Sequence, residues 1–137
     1  MDATVVERLC RAVVDHDLEA LVGCFAPDYR NETPVHPARG FVGHDQVRAN
    51  WSQIFAGVPD ISAELLRTAV HGEELWSEWE MRGTRRDGGE HLMRGVVIFG
   101  IRDDQAQWAR FYLEPVDTAG SGVDAAVAAQ VRPSAVS

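Results

Sequence analysis

The residues best equipped for chemistry fall late in the chain, in Trp108-Ala109-Arg110-Phe111-Tyr112-Leu113-Glu114-Pro115. In an extended strand alternate side chains share a face, which groups Trp108, Arg110, Tyr112 and Glu114. An arginine is a permanent cation, and a tyrosine with an ordinary pKa near ~10 is a poor base at neutral pH. Proton transfer within this set therefore falls to Glu114, with Arg110 and Tyr112 placed to steady a developing oxyanion. The competing reading is an ordinary charged pair on one strand face near a rim.

A second group lies earlier. If Asp28 to Pro34 is extended, Tyr29, Asn31 and Thr33 share one side. His36 stands in a loop between Pro34 and Pro37, where an imidazole can act as a base near neutral pH or be simply exposed. The remaining histidines, His16, His44, His71 and His91, show no HxxxH or HxH spacing with a third ligand, so no metal site is expected. No G-x-S-x-G, CxxC, P-loop or Gly-rich dinucleotide fingerprint occurs, which leaves covalent and nucleotide-dependent chemistry unsupported and no cofactor expected.

These side chains need a frame. Thr4-Val5-Val6-Glu7 matches a capping box, and Val6, Leu9, Cys10, Val13 and Val14 recur at helical spacing, predicting a helix over about residues 4 to 15. Asp17 can cap a second, shorter helix through Leu18, Leu21, Val22 and Phe25, stopped by Pro27. A minor strand over 28–34 and a loop marked by Pro34, Pro37 and Gly40 follow. Gly43-His44-Asp45 then opens a helix with an apolar stripe of Val47, Trp51, Ile54 and Phe55. Four strands are expected at 61–71, 75–84, 92–101 and 106–116, joined by Gly72-Glu73, Asp87-Gly88-Gly89 and Asp103-Asp104 into an antiparallel meander.

Helices first and strands afterwards indicate an α+β arrangement, with helices on one face of a curved sheet. On the strand at 75–84, Ser77, Trp79 and Met81 oppose Trp76, Glu78, Glu80 and Arg82. On the next, Met93, Gly95, Val97 and Phe99 oppose Arg94 and Ile98. The charged outer face is either solvated or paired across a homodimer, with the dimer preferred. Trp51 and Phe55 read as core against the sheet, and Trp79 as core or as a flat pocket wall. After Asp117 the composition turns to Thr, Ala, Gly, Ser and Val, the pattern of a flexible C-terminal tail over 118–137 that has room for a turn of helix but lacks aromatic anchors.

The bulk properties narrow the partners. At 137 residues the chain fits one domain that buries its own core. With 13 basic and 21 acidic residues its formal charge is -8, and no basic stripe forms, so neither nucleic acid nor an anionic membrane is expected as a partner. No signal-peptide pattern follows Met1 and no apolar run spans a bilayer, so a cytoplasmic location is expected. Cys10 and Cys24 sit at apolar helical positions as core thiols. All basic residues are Arg and Ala, Val and Gly abound, a composition that points to a GC-rich bacterial genome.

The order of helix hairpin, short strand, Pro-rich loop, helix and meander resembles the cone-shaped nuclear-transport-factor-two-like superfamily over residues 4 to about 117. Asp17-Leu18-Glu19-Ala20-Leu21-Val22, Phe25-Ala26-Pro27-Asp28, Gly43-His44-Asp45-Gln46-Val47 and Arg94-Gly95-Val96-Val97-Ile98-Phe99 look like SnoaL-like domains in particular. The resemblance implies a curved antiparallel sheet on three N-terminal helices, closing a pocket for a small hydrophobic molecule. It places Tyr29, Asn31, Glu32 and His36 at the pocket entrance, and the ligand-binding set it implies is Tyr29, Asn31, Thr33, His36, Trp51, Trp79, Val97 and Phe99. It also disfavours ketosteroid isomerisation. Leu9 stands at the oxyanion tyrosine position, Thr33 before Pro34 at the general-base aspartate, and Val97 at the second aspartate. In polyketide cyclases and epoxide hydrolases of this fold a polar pair lies on the last strand. Arg110 and Tyr112 match those positions, which implies that they and Glu114 face the pocket. The expectation is a cofactor-independent isomerase, cyclase or hydrolase acting by acid/base chemistry. The alternative is a non-catalytic ligand-binding or dimerisation module.

Overall fold

Periodicity explains most of the elements. The computed structural model describes residues 3–133. Helix α1 (Thr4–Val14) turns Val5, Val6, Leu9, Ala12 and Val13 inward, and α2 (Leu18–Val22) begins where the Asp17 carboxylate accepts the Ala20 N–H at 3.1 Å. Helix α3 (His44–Gly57) follows a single 3-10 turn at Pro37–Arg39. Six strands complete the domain: β1 (Phe25–Glu32), β2 (Phe41–Val42), β3 (Ser62–His71), β4 (Glu74–Thr84), β5 (Glu90–Arg102) and β6 (Gln105–Pro115). They form one curved, open sheet in the order β2-β1-β6-β5-β4-β3.

The meander from β3 to β6 is antiparallel, as expected. Asp103 and Asp104 both take positive φ (55° and 59°), the conformation a two-residue hairpin needs to match the twist of its strands. The pairing of β1 with β6 is parallel, however, so the sheet is mixed. Strand β1 also starts at Phe25, in the stretch expected to end α2. Pro27 is accommodated because the β1–β6 register is interrupted between Phe25 and Arg30, where no ladder N–H is required. The last helix, α4 (Val123–Val131), is longer than the single turn expected in the tail and buries none of its residues.

Further irregularities shape the sheet. Gly95 in β5 has φ of +153°, and a Cβ there would lie 2.0 Å from the Tyr112 carbonyl oxygen. Only glycine lets β5 and β6 approach so closely at this bend. The edge strand β3 carries a register shift between Leu65 and Arg67 against β4.

The core lies between the concave face and α1–α2. Trp79, Val97 and Phe99 are essentially inaccessible there. The Trp79 Nε1–H donates to Ser77 Oγ (2.8 Å), whose hydroxyl donates to the Val97 carbonyl (2.7 Å), so the polar atoms carried into this core are paired. Cys24 is buried and Cys10 partly so; both are free thiols, and desolvation raises the pKa of each. They behave as small hydrophobes.

Candidate functional site

Strand alternation decides what the sheet offers a ligand. In β6 the inward residues are Ala109, Phe111 and Leu113; Ala109 is fully buried, and Phe111 and Leu113 face a cavity of about 280 Å³. Arg110 and Tyr112 therefore point to the outer face, where they join Trp76, Val96, Ile98 and Trp108 along a shallow groove. This corrects the expectation that they face the pocket. The apolar members of a half-buried strand take the buried side, because moving Arg110 inward would strip a permanent cation of water. The Arg110 guanidinium instead meets the Glu32 carboxylate at 3.0 Å. Glu114 is also absent from the cavity wall. It receives a 3.0 Å contact from His36 Nε2, and this pair ties the loop after β1 to the end of β6. His36 is thus a strap residue rather than part of the lining.

The cavity is built at one end of the cone. Its floor is Tyr29 and Asn31 of β1, both buried, beside Met81 of β4. Its roof is α3, which explains why the large apolar residues Trp51 and Ile54 of that helix stay only half-buried: they face space. Phe55 instead stacks on His16 at 5.0 Å, while the His16 ring Nε2 sits 2.8 Å from the Ile61 carbonyl. Met93 and His91 at the start of β5 and Leu113 near the end of β6 form the outer wall. Among the residues expected to bind ligand, Tyr29, Asn31, Thr33 and Trp51 do line the cavity. Trp79, Val97 and Phe99 lie deeper on the same face as sealed core, because neighbouring side chains cover them completely.

A polar strip crosses this apolar wall. The Tyr29 hydroxyl donates to Asn31 Oδ1 at 2.7 Å, and Asn31 Nδ2 reaches Thr33 Oγ1 at 3.5 Å. That arrangement commits the amide oxygen and leaves an Asn31 N–H for a ligand acceptor. Burial pushes the Tyr29 hydroxyl far above its ordinary pKa, so it stays protonated and serves as a donor. His91 completes the set. Desolvation, reinforced by the charge of Arg85, lowers its pKa, which favours the neutral imidazole able to accept a proton. No carboxylate lines the cavity among the described residues. His91, Arg39 and Asn50 were not singled out from sequence. Nothing in the local pattern marks the first two, while Asn50 lies one residue before the stripe position Trp51.

The sequence profile of the SnoaL-like domain family matches residues 6–111. The chain belongs to the SnoaL-like domain family. Among curated proteins none matches. Solved structures similar to this SnoaL-like chain include IdmH, a putative polyketide cyclase from Streptomyces antibioticus (TM-score 0.71, 19% identity, covering 82% of this chain and 91% of that one). An epoxide hydrolase of the LEH-like type from M. tuberculosis has a TM-score of 0.69 at 14% identity, covering 81% and 80%. Another Mycobacterium tuberculosis protein, in complex with estradiol-17beta-hemisuccinate, has a TM-score of 0.68 at 18% identity, covering 80% and 90%. At these identities the likeness shows the nuclear-transport-factor-two-like, ketosteroid isomerase-like fold and leaves activity to the SnoaL-like site itself. Among the described residues no helix is long and apolar enough to cross a membrane.

Proposed function

We propose that this SnoaL-like domain binds one small, mainly apolar molecule inside the cone and acts on it by acid/base chemistry, as an isomerase, cyclase or hydrolase that needs no cofactor. The observation that carries the reading is the cavity wall itself, in which an apolar lining is interrupted by a buried Tyr29–Asn31–Thr33 strip and by a partly buried His91. An Asn31 N–H addresses a carbonyl or hydroxyl oxygen of the ligand and polarises it. Neutral His91 takes a proton from the activated molecule and returns it at another atom or to water. Structural relatives described as a polyketide cyclase and an epoxide hydrolase, and one holding a steroid ester, support ligands of this kind.

The test is a screen of small hydrophobic carbonyl compounds and epoxides by thermal shift, followed by mass spectrometry of the mixtures that stabilise the protein. Conversion that disappears in His91→Gln while binding persists supports the reading. Full turnover by His91→Gln removes that residue from the mechanism. That no carboxylate lines the cavity among the described residues favours a second reading, a ligand-binding module without catalysis. Ligands that raise the melting temperature yet emerge chemically unchanged at stoichiometric protein would establish it.

The outer face supports self-association. Trp76 and Tyr112 are exposed there, and Arg30, Arg110, Glu32 and Glu74 place both signs of charge in one patch. A patch carrying both signs can complement itself across a two-fold axis. A homodimer through this face, working in the cytoplasm where both thiols stay reduced, completes the proposal. Sedimentation velocity of Trp76→Glu tests it, since an unchanged dimer would exclude this face.

A further inference from the structure

We infer that the molecule this cavity takes is an organic anion, a small apolar body ending in a carboxylate, and that Arg39 is the residue that selects it. The inference rests on the small-molecule reading above and adds the chemical class of the ligand. Arg39 lines the mouth of the cavity and is itself exposed. Among the described residues its guanidinium has no carboxylate partner, whereas Arg48, Arg67, Arg82, Arg94, Arg102 and Arg110 are each paired with a glutamate.

The placement of Arg39 is fixed by backbone, which is what a selective clamp requires. Its N–H donates to the His36 carbonyl at 2.9 Å, closing the 3-10 turn, and the following Gly40 runs so near β1 that a Cβ would sit 3.3 Å from the Asn31 carbonyl oxygen. Two residues on, Phe41 pairs with Asn31 in the sheet. The turn bearing Arg39 is therefore seated against the same residue whose side chain forms the polar floor. Glu114, which meets His36 at the start of this turn at 3.0 Å, forms no ion pair with Arg39 among the described residues.

The rest of the mouth agrees. Beside Arg39 the wall includes Phe111, Leu113, Met93 and Trp51, and no acid lines it among the described residues. A single exposed cation beside an apolar well fits an amphipathic anion. The guanidinium fork matches a carboxylate in geometry, and a charge-assisted contact discriminates more sharply than a neutral one. The direction of binding follows: carboxylate at the rim, apolar body against β5 and β6, and any acceptor along the body over Asn31.

The experiment uses a matched pair of probes, 4-phenylbutyrate and 4-phenyl-1-butanol, titrated by calorimetry into the full chain and into Arg39→Gln and Arg39→Lys. The acid is expected to bind the wild type about tenfold more tightly than the alcohol, with that ratio falling to about one in Arg39→Gln and partly kept in Arg39→Lys. Equal affinity of the two probes for the wild type overturns the anion assignment while leaving the small-molecule site standing. A preference for the acid that survives in Arg39→Gln assigns the selection elsewhere and overturns the role of Arg39. Binding of neither probe at millimolar concentration defeats both the anion assignment and the reading beneath it. Circular dichroism melts of the variants confirm that each is folded.

Discussion

The Tyr29–Asn31 pair offers the sharpest test of how the cavity floor is held. Both side chains are buried, and the 2.7 Å hydrogen bond between them is the contact that orients the Asn31 amide. In Tyr29→Phe the Asn31 oxygen keeps its burial and loses its donor, which costs about 2 kcal/mol for the bond and the stranded acceptor together. Asn31→Leu strands the Tyr29 hydroxyl instead, again at about 2 kcal/mol, and its extra methyl volume is tolerated because Asn31 borders the cavity. Replacing both residues leaves no orphan polar atom. The double variant is therefore expected to lose about 1 kcal/mol, the bond alone, rather than the ~4 kcal/mol of the sum, a coupling of about 3 kcal/mol. Urea unfolding followed by tryptophan fluorescence measures all four proteins, with equal m-values as the condition for comparing midpoints. Additivity of the two single losses within ~0.5 kcal/mol would refute the claim that this hydrogen bond positions the amide.

Other outcomes follow from the same geometry. Gly95→Ala drives a methyl into the Tyr112 carbonyl and strains a positive φ, so a loss of about 3 to 5 kcal/mol is expected by denaturant titration; a change under ~1 kcal/mol would show that the bend relaxes freely. Because the native pKa of His91 lies below its unfolded value of about 6.5, the unfolded chain binds the extra proton first on acidification. Its contribution to stability is complete above that value and is lost as the pH falls towards the native pKa; His91→Gln should flatten that part of a melting-temperature profile from pH 7 to 5. Phe111→Ala should weaken 4-phenyl-1-butanol binding about tenfold while Tyr112→Ser leaves it unchanged in calorimetry, since only the first side chain lines the cavity. The reverse order would invert the face assignment of β6.

The four meander strands are legible because each combines period-two alternation with a turn of unmistakable composition, and every one begins and ends within two residues of its expected limits. Strand β1 is not, because Leu18, Leu21, Val22 and Phe25 continue a helical period up to Pro27. Only the long-range pairing of β1 with β6 draws Phe25 into the sheet, and sequence spacing carries no trace of that pairing. The two-residue β2 is too short to show any period. The site divides in the same way. Tyr29 and Asn31 follow from alternation within β1, and Thr33 continues it one residue past the strand. For β6, the alternation of Ala109, Phe111 and Leu113 with charged neighbours already specifies the inner face. Matching Arg110 and Tyr112 to catalytic positions of relatives overrode that simpler signal and inverted the strand. Arg39 sits in a loop and His91 at a strand start beside a polar turn, where only three-dimensional closure brings them to one mouth.

The register shift in β3 bears on how this chain survives in a crowded solution. β3 is one of the two margins of the sheet, ten residues long, and a straight margin of that length would be a template on which strands of other molecules could accrete. The extra residue at Leu66 breaks the regular sequence of donors and acceptors midway, and the Arg67 charge beside it penalises a like strand arriving in register. Removing Leu66 would straighten the margin and open a route to fibrillar growth without touching the ligand cavity.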